Sequence, residues 1–363
     1  MAERLKDIFF TDDSMNAFAN AIIKFYPKFN KDAFRESIKS PDDWDEMELK
    51  KKMRHTTECL YAALPQDYRK AVDILVNAAP FLKGFEAMSL PDYVELYGLE
   101  DWDSSLPALK HFNPYASSEF AIRPFILQNA EKAMAFMNEC AEDENDKIRR
   151  FASEGCRPRL PWAMALPVFK KDPSLIIPVL EKLKDDPSEF VRRSVANNLN
   201  DISKDNPEKM LEICEGWYGH SANTDWIVKH ACRSLLKTGN KRALILFGHG
   251  DPALLKIKDL TLNKNTVTIG EELHYTFTLH SGGKKKSKVR LEYAMDFVKS
   301  SGKWSRKIFK ITENDYAPGE YSFTRKHSFA DMSTRKHFPG THQLTLIANG
   351  EEKAKVSFEV LRC

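Results

Sequence analysis

Apolar residues recur at every third or fourth position from about residue 10 to about residue 250, which is the period of helices that bury one face. The spacing is clearest in two runs, which are Phe18, Ile22 and Phe25 near the start and Leu175, Val179, Leu180 and Leu183 further along. Four capping residues stand directly before a proline that suits a first helical turn, namely Asp172, Asp186, Asn206 and Asp251. The pattern predicts an all-α region with short connections.

Three helical segments in this region resemble one another. They are KIRRFASEGC (147–156), FVRRSVANNL (190–199) and IVKHACRSLL (227–236), and each has an apolar residue, two mostly basic residues, and then small and apolar positions. Aligning Ile148, Val191 and Val228 gives periods of 43 and 37 residues. Repeats of this length, with two helices in each, are typical of HEAT-like α-solenoids, which stack into an array with a concave binding face.

Beyond Leu255 the apolar pattern changes to strict alternation, as in LHYTFTL, KVRLEYAM and HQLTLIA. Turn signals separate these runs, at Ser281-Gly282-Gly283, Pro318-Gly319, Pro339-Gly340 and Asn349-Gly350. About seven short strands in about 105 residues indicate an immunoglobulin-like β-sandwich, although one without the Cys–Trp–Cys framework of antibody domains. We therefore predict a helical-repeat domain over residues 1–254 and an all-β domain over residues 255–363.

Charge is distributed unevenly between these two regions. Residues 257–363 contain 19 Lys and Arg against 12 Asp and Glu, a net charge of +7. Because the whole chain of 363 residues carries +3, the first 256 residues carry −4. A basic appendage on a mildly acidic body is consistent with an anionic partner such as nucleic acid, and equally with an ordinary charged surface.

Several classes of function lack support in the sequence. No apolar run is long enough to cross a bilayer, and the first residues do not resemble a signal peptide, so we expect a cytoplasmic protein. The 10 histidines form no metal-binding pattern, and no phosphate-binding glycine loop occurs. The six cysteines form no CxxC pair, so we expect no disulfide, no metal and no cofactor.

Polar residues on the repeated helices are candidates for chemistry. With about 100° per residue, Arg150 and Glu154 share one side of their helix, and Asn197 and Asp201 share the corresponding edge of the next. Glu154 and Asn197 occupy equivalent positions in neighbouring repeats. The construction places two carboxylates and several arginines on a shared surface, where solvated residues paired with nearby arginines are the alternative interpretation.

The segment after Glu154 combines charge and rigidity. Two prolines in Arg157-Pro158-Arg159-Leu160-Pro161 predict an extended path that leaves Arg157 and Arg159 splayed beside Glu154 and suited to phosphates. Trp162 follows directly, and it is either a core residue or a π-face for a cationic base or a deoxyribose.

Basic pairs recur at matching places in the three repeats, as Arg149-Arg150, Arg192-Arg193 and Lys229-His230. Repeated positive positions on stacked units predict a stripe that grips a nucleic-acid backbone without reading its sequence. A solvated amphipathic face remains the alternative for any single pair.

The chain resembles the AlkC branch of the AlkC/AlkD DNA glycosylases. The likeness rests on EGCRPRLPW (154–162), VRRSVANNLNDISKDNPE (191–208), SSEFAIRPFI (117–126) and the helical repeats around them. In the β-region, VTIGEELHYTFTL, GKWSRKIFK, STRKHFPGTHQL and IANG are similar to the immunoglobulin-like domain carried by a subset of AlkC proteins. The resemblance covers nearly the whole chain.

The resemblance implies a monomeric enzyme that binds duplex DNA along the concave face and hydrolyses the N-glycosidic bond of cationic lesions, N3-methyladenine and N3-methylcytosine, without flipping the base. Glu154 is then expected to stabilise charge and position water, with Asp201 and Glu119 as supporting carboxylates and Trp162 as a contact to the lesion nucleotide. Glu119 rests on the resemblance alone. The expected DNA-binding residues on the solenoid are Arg150, Arg157, Arg159, Arg192, Arg193, Asn197 and Lys229.

The β-domain is expected to grip DNA from the side opposite the solenoid. The residues assigned to this role are Lys284, Lys285, Lys286, Lys288, Arg290, Arg306, Lys307 and Arg335. A competing hypothesis is a non-catalytic scaffold, because HEAT arrays mostly bind proteins and solenoids can bind DNA without cutting it. The distinguishing feature is whether Glu154 and Asp201 converge beside a basic groove or point to opposite faces.

Overall fold

The computed structural model describes residues 8–331 and 336–362, so Arg335 lies outside the described residues. The chain divides into two compact units, residues 1–231 and residues 232–363. Within the described ranges, no helix is both long enough and apolar enough to cross a membrane.

The first unit is helical. Its helices are α1 (Asp12–Ile23), α2 (Lys31–Ile38), α3 (Leu49–Ala63), α4 (Tyr68–Ala78), α5 (Ser89–Tyr97), α6 (Trp102–Phe112), α7 (Ile122–Gln128), α8 (Ala130–Cys140), α9 (Asp146–Gly155), α10 (Pro167–Lys171), α11 (Ile177–Leu183), α12 (Glu189–Ile202), α13 (Pro207–Trp217) and α14 (Ala222–Ala231). Short 3₁₀ turns occur at Trp44–Glu46, Ala79–Phe81 and Phe85–Met88. Most of the apolar positions that the sequence pattern predicted are buried, and Phe18, Ile22 and Leu180 are each 0% exposed. The first run ends in an exposed residue, Phe25 at 39%, and the second begins with one, Leu175 at 37%.

The repeated segments form one layer of neighbouring helices. Helix α12 packs between α9 and α14, and each of the three also packs against the helix that precedes it in the same repeat, α8, α11 or α13. The third segment, expected as one helix over 227–236, is divided: α14 ends at Ala231 and a new short helix begins at Arg233. The prediction of stacked helix pairs is confirmed, and the expected continuity of the third helix is wrong.

Proline-marked helix starts agree with the structure in two of four cases. Helix α13 begins at Pro207, and a 3₁₀ helix begins at Pro252, where Asp251 caps the turn. After Asp172-Pro173 and Asp186-Pro187 the helices begin later, at Ile177 and Glu189. The Asp186 carboxylate instead accepts a bond from the Ser188 amide, so it organises the connection before α12.

The second unit opens with two short helices, α15 (Arg233–Lys237) and α16 (Lys241–Leu246), and a 3₁₀ turn at Pro252–Leu254. Its strands are β1 (Leu255–Leu262), β2 (Thr266–Thr268), β3 (Glu272–Ser281), β4 (Ser287–Val298), β5 (Trp304–Tyr316), β6 (Gly319–Ser328), β7 (Gly340–Ala348) and β8 (Glu351–Leu361). One sheet has the order β1-β3-β6 and the other the order β2-β8-β7-β4-β5. All pairings are antiparallel except that of β2 with β8.

Every second side chain along the strands contributes to the core of this unit. Leu273, Tyr275, Phe277 and Leu279 on β3 alternate with more exposed residues and join the buried cluster. The predicted turn at Asn349-Gly350 joins β7 to β8, and both residues adopt a positive φ, as a two-residue hairpin turn requires. Gly350 lies so close to Gly239 that an added Cβ would come within 2.6 Å of the Gly239 Cα.

The change from helix to strand falls between Leu254 and Leu255, where the sequence pattern placed it. The compact units divide earlier, so that α15 and α16 belong with the strands. The predicted boundary at residues 254/255 therefore describes the change of secondary structure, and as a boundary between domains it stays a prediction.

Candidate functional site

Helix α9 carries Glu154 in its last turn and ends at Gly155. The missing side chain at Gly155 lets α9 approach its neighbours closely, because an added Cβ would lie 2.8 Å from Ile122 Cγ2 and 2.8 Å from Met137 Cε. Only 5% of Glu154 is exposed, although the sequence pattern placed it on the polar side of the helix.

Arg157 joins two of the predicted catalytic carboxylates. Its Nη1 donates to Glu154 Oε1 at 2.6 Å, and its Nε donates to Asp201 Oδ2 at 2.9 Å. All three side chains are at least nine-tenths buried. Burial lowers the pKa of Arg157, but Glu154 and Asp201 outweigh it and raise that pKa above its ordinary value. Lys204 completes the pairing by donating to Asp201 Oδ1 at 3.0 Å.

Glu119 and Arg150 extend this network. Arg150 Nη1 donates a short hydrogen bond to Glu119 Oε1, and its Nη2 lies 3.6 Å from Glu154 Oε1. The Arg150 guanidinium also lies 4.3 Å from the ring centre of Phe190, which is 48% exposed. The structure thus brings Glu119, Glu154 and Asp201 into one cluster with Arg150, Arg157 and Lys204, and its formal charges balance.

Ser194 is a polar contact of Glu154 that sequence reasoning missed. Its hydroxyl donates to Glu154 Oε2 at 2.6 Å and lies 3.0 Å from the Ser153 hydroxyl. Asn198 donates to the Ser153 carbonyl at 2.8 Å from the same face of α12. The sequence did contain a signal, because Ser194 interrupts an otherwise apolar buried arc, where a hydroxyl needs a partner.

Arg123 is a second missed residue. It is 0% exposed, and its guanidinium donates to the carbonyls of Gly155 (3.0 Å), Arg157 (2.9 Å) and Met164 (2.7 Å). Burial lowers the pKa of Arg123 to about 10. An arginine in an apolar helical stretch was visible in the sequence, but the three carbonyls that bind it belong to a loop whose path could not be inferred.

A cleft of about 400 Å³ lies beside this cluster. It is lined by Arg150, Glu154, Glu189, Phe190, Arg193, Ser194 and Asn197. Glu154 and Asn197, predicted as equivalent positions of neighbouring repeats, therefore face the same space. Asp201 does not line the cleft, and it is connected to Glu154 through Arg157.

Residues 157–166 form a series of turns, so the expectation of an extended path is wrong. Two backbone bonds fold the segment back on itself, from the Ala163 amide to the Leu160 carbonyl at 3.3 Å and from the Leu166 amide to the Pro158 carbonyl at 3.1 Å. Proline restricts φ but does not prevent a turn. Leu160 and Leu166 are both buried, which favours the folded-back path of this segment.

The two arginines of this segment are engaged by carboxylates and are not splayed. Arg157 is buried against Glu154 and Asp201, while Arg159 makes a two-bond pair with Asp205 at 2.9 and 2.7 Å. Their assignment to phosphate binding stays a prediction. Trp162 is 65% exposed, so the core alternative for this residue is wrong.

The basic pairs of the repeats divide into two roles. The first residue of each arginine pair stabilises the connection before its own helix: Arg149 donates to the Asp143 and Glu144 carbonyls at 2.9 and 2.8 Å, and Arg192 donates to the Asp186 and Pro187 carbonyls at 2.7 and 2.8 Å. Arg149 also pairs with Asp186, in the connection before α12, at 2.6 Å. The second arginines, Arg150 and Arg193, line the cleft. Two of the six residues of the predicted stripe therefore have a structural role.

The remaining solenoid candidates lie on the surface or at the cleft. Arg193 pairs with Glu189 at 2.6 Å, and both side chains are exposed. Asn197 Oδ1 lies 3.3 Å from His230 Nε2, and Lys229 is exposed. Their contact with nucleic acid stays a prediction.

The basic residues of the β-domain also separate into two groups. Lys284, Lys285, Lys286 and Lys307 are exposed, and the first three lie in the connection between β3 and β4. Of these, Lys286 Nζ lies 3.6 Å from Asp315 Oδ2. Ion pairs on the sheet surface involve Lys288 with Glu313, Arg290 with Glu292 and Glu313, and Arg306 with Asp296 and Glu352.

We expect Glu119→Gln to change how stability depends on pH. Burial, against the pull of Arg150 and with the help of the nearby Glu154, raises the pKa of Glu119 above its ordinary value. The folded state then binds this proton more tightly than the unfolded state, so the stability that Glu119 contributes is lost as pH rises through its folded pKa. Urea unfolding at a series of pH values should show the variant gaining on the wild type as the pH rises above about 4.5, the ordinary range of a glutamate pKa.

The matched control is Glu189→Gln, which removes a carboxylate that is exposed and paired with an exposed arginine. Its stability difference from the wild type should change little with pH over the same range. A difference between Glu119→Gln and the wild type that stays constant with pH would contradict the expectation.

Among residues 8–331 and 336–362, no group of three or more His, Cys, Asp or Glu side chains is arranged to hold a metal ion. Cys156, next to the site, is fully buried, and burial raises the pKa of its thiol to about 12.

Comparison with known proteins identifies the family. A family model described as the C-terminal immunoglobulin-like domain of the uncharacterised protein YhaZ matches residues 256–362. The chain is 46% identical to the uncharacterised protein YhaZ of Bacillus subtilis, over 98% of this chain and 99% of that protein. It is 39% identical to the Pseudomonas fluorescens alkylpurine DNA glycosylase AlkC, solved bound to DNA containing an abasic site analogue, with a TM-score of 0.87 and coverage of 99% of this chain and 100% of that one. The chain belongs to the AlkC branch of the AlkC/AlkD family of HEAT-like repeat DNA glycosylases, with a C-terminal immunoglobulin-like domain.

Proposed function

We propose that this protein is a monomeric, monofunctional glycosylase that hydrolyses the N-glycosidic bond of cationic alkylated bases, N3-methyladenine and N3-methylcytosine, in duplex DNA. The observation that carries the proposal is the cluster of Glu119, Glu154 and Asp201 around Arg150 and Arg157, with Glu154 at the wall of the cleft. The similar AlkC protein acts on alkylpurines, by its description, and binds DNA with an abasic site analogue.

The chemistry of a cationic base fits this set of residues. Such a base leaves as a neutral molecule, so its departure needs no proton donor. The deoxyribose becomes positively charged as the bond breaks, and a carboxylate beside it lowers the energy of that state. Glu154 is suited to this role because Arg157 and Ser194 hold both of its oxygens while it faces the cleft.

Water must attack the sugar after the base departs, and we assign its positioning to Glu154, the carboxylate that lines the cleft. Glu119 and Asp201 do not line the cleft and pair with Arg150 and Arg157, so we assign both of them a supporting role.

Trp162 supports contact with the lesion nucleotide at the surface. Its exposed ring offers a π-face to a cationic base or to the deoxyribose. Apart from Phe190, the cleft is lined by charged and polar side chains, whereas a flipped base is usually read between aromatic or apolar walls. We therefore propose excision without insertion of the base into a pocket.

The β-domain is proposed to bind phosphates through Lys284, Lys285 and Lys286. Replacing all three with alanine should weaken DNA binding. The plot of log affinity against log salt has a negative slope, and this slope should become less steep by about 0.9 for each phosphate that is no longer neutralised. Titration of labelled duplex at several salt concentrations measures this. The triple Lys→Arg variant keeps the charges and should bind as the wild type does, whereas an unchanged slope in the alanine variant would contradict the assignment.

The direct test is release of 3-methyladenine and 3-methylcytosine from methylated duplex DNA, measured by chromatography of the free bases. We expect both bases to be released and the sugar–phosphate backbone to stay intact. Binding of the same DNA without release of either base would favour the alternative function, a non-catalytic scaffold on DNA.

A further inference from the structure

Lys50 connects the start of α3 with the exposed tryptophan of the site. Its Nζ donates to the Trp162 carbonyl at 2.8 Å across 112 residues of sequence. The same Nζ lies 5.1 Å from the ring centre of Phe120, the residue after Glu119. A single side chain therefore contacts both the Trp162 loop, residues 157–166, and the segment that carries Glu119.

The backbone at Trp162 needs such support. Its φ is 65°, in the left-handed region that residues with a side chain rarely adopt. Conformations of this kind persist where the surroundings hold them, and they concentrate at functional sites. In Trp162 the unusual backbone coincides with a large aromatic ring that is 65% exposed.

Arg123 binds other parts of the same loop. Its donors bind the carbonyls of Arg157 and Met164, which lie on either side of Trp162, and that of Gly155 at the end of α9. Arg123 therefore binds the loop at residues 157 and 164, and Lys50 binds it at Trp162. Two cations from other helices thus hold the loop.

The sequence around Lys50 is unusual for a helix start. Lys50, Lys51 and Lys52 occupy the first turn of α3, where the helix dipole disfavours positive charge. Lys52 is buried against the Trp44 ring, at 4.9 Å, which gives it a packing role. Lys50 is exposed, and its contact with Trp162 offers a reason for a lysine that the helix itself does not favour.

We propose that Lys50 and Arg123 are positioning residues that hold the Trp162 ring in its working orientation before DNA binds. This inference rests on the proposed function, because it concerns the residue proposed to contact the lesion nucleotide. Misplacement of a contacting group by about 1 Å can cost a large factor in rate, so an ordered loop would speed excision without adding any contact to DNA.

The test compares Lys50→Met, which keeps the length of the side chain but removes the donor, with Lys50→Arg, which keeps a donor. Both are made in the full chain with Trp162 and with Trp162→Ala. Single-turnover excision of methylated bases at saturating enzyme should slow on the order of tenfold in Lys50→Met. Lys50→Arg should restore most of the rate, and Lys50→Met should have no further effect in the Trp162→Ala background.

Hydrogen exchange of the amides in residues 160–166 gives a second readout that needs no activity. Exchange in the free protein should rise on the order of tenfold in Lys50→Met and return toward the wild-type rate in Lys50→Arg. Unchanged exchange in Lys50→Met overturns the inference. So does a rate loss that persists unchanged without the indole, because Lys50 would then act as a direct DNA contact.

The two proposals fail in different ways. A wild type that releases no methylated base refutes the proposed function, while the exchange measurement still decides whether Lys50 orders the loop. An active wild type with additive Lys50 and Trp162 effects leaves the proposed function in place and refutes the positioning role.

Discussion

Glu154→Gln should release methylated bases on the order of 10²–10³-fold more slowly than the wild type, because an amide cannot offset positive charge on the deoxyribose. The substitution preserves size and keeps an oxygen that can accept from either Arg157 or Ser194. Single-turnover release of 3-methyladenine and 3-methylcytosine at saturating enzyme measures the chemical step. The affinity for duplex DNA with an abasic site analogue should change much less than the rate.

Glu181→Gln is the control for removal of a carboxylate in the same repeat array, since this residue on α11 pairs with Lys184 and lies away from the cleft. It should excise as the wild type does. Full activity in Glu154→Gln would assign the charge-stabilising role to another carboxylate, and an unfolded Glu154→Gln would be recognised from its thermal transition.

Arg157→Ala should destabilise the folded protein by about 3–5 kcal/mol, the usual cost of leaving buried charges without their partner. The substitution removes the bridge between Glu154 and Asp201 and leaves each of these two buried carboxylates with one fewer cation beside it. Urea unfolding at neutral pH measures the loss.

Arg159→Ala is the matched control in the same loop. Arg159 also makes a two-bond pair, with Asp205, but its side chain is 37% exposed and its removal should cost about 0–1 kcal/mol. Equal destabilisation by the two variants would mean that the buried network contributes no more than a surface ion pair, which would contradict our description of the site.

Much of the fold follows from the periodicity of the sequence. The three-to-four spacing located the helices, and the alternation after Leu255 located the strands, because each pattern reflects which face is buried. The break at Cys232 was not visible in the same way. The residues on both sides of it keep helical spacing, so the end of α14 depends on packing that a local pattern does not contain.

The sequence identified the three carboxylates of the cluster, but it did not predict which arginines pair with them. Helical geometry together with family resemblance selected Glu119, Glu154 and Asp201, which the structure brings into one cluster. The role of Arg157 as their bridge was missed, because two prolines suggested an extended loop with solvent-facing arginines. Charge pairs between segments distant in sequence depend on the path of the loop, and turn formation there depends on tertiary burial.

Proline and arginine residues gave contrasting information. Prolines correctly marked the start of α13 but misled for the loop after Glu154, because a fixed φ suits both extended chain and several turns. Arginine pairs marked the right edge of the helices, yet only the second member of each pair reached the cleft. The direction of a side chain is therefore predicted more reliably from its position on a helix than from the amino-acid composition of a loop.

The left-handed backbone of Trp162 opposes the stability of the fold to the role that we propose for its side chain. A residue with a side chain in this conformation costs of order 1–3 kcal/mol, and glycine would adopt it almost without strain. Under the proposed contact with the lesion nucleotide, selection for thermostability alone would replace the tryptophan, whereas selection for excision would keep it. We therefore expect stabilising designs that change position 162 to lose activity.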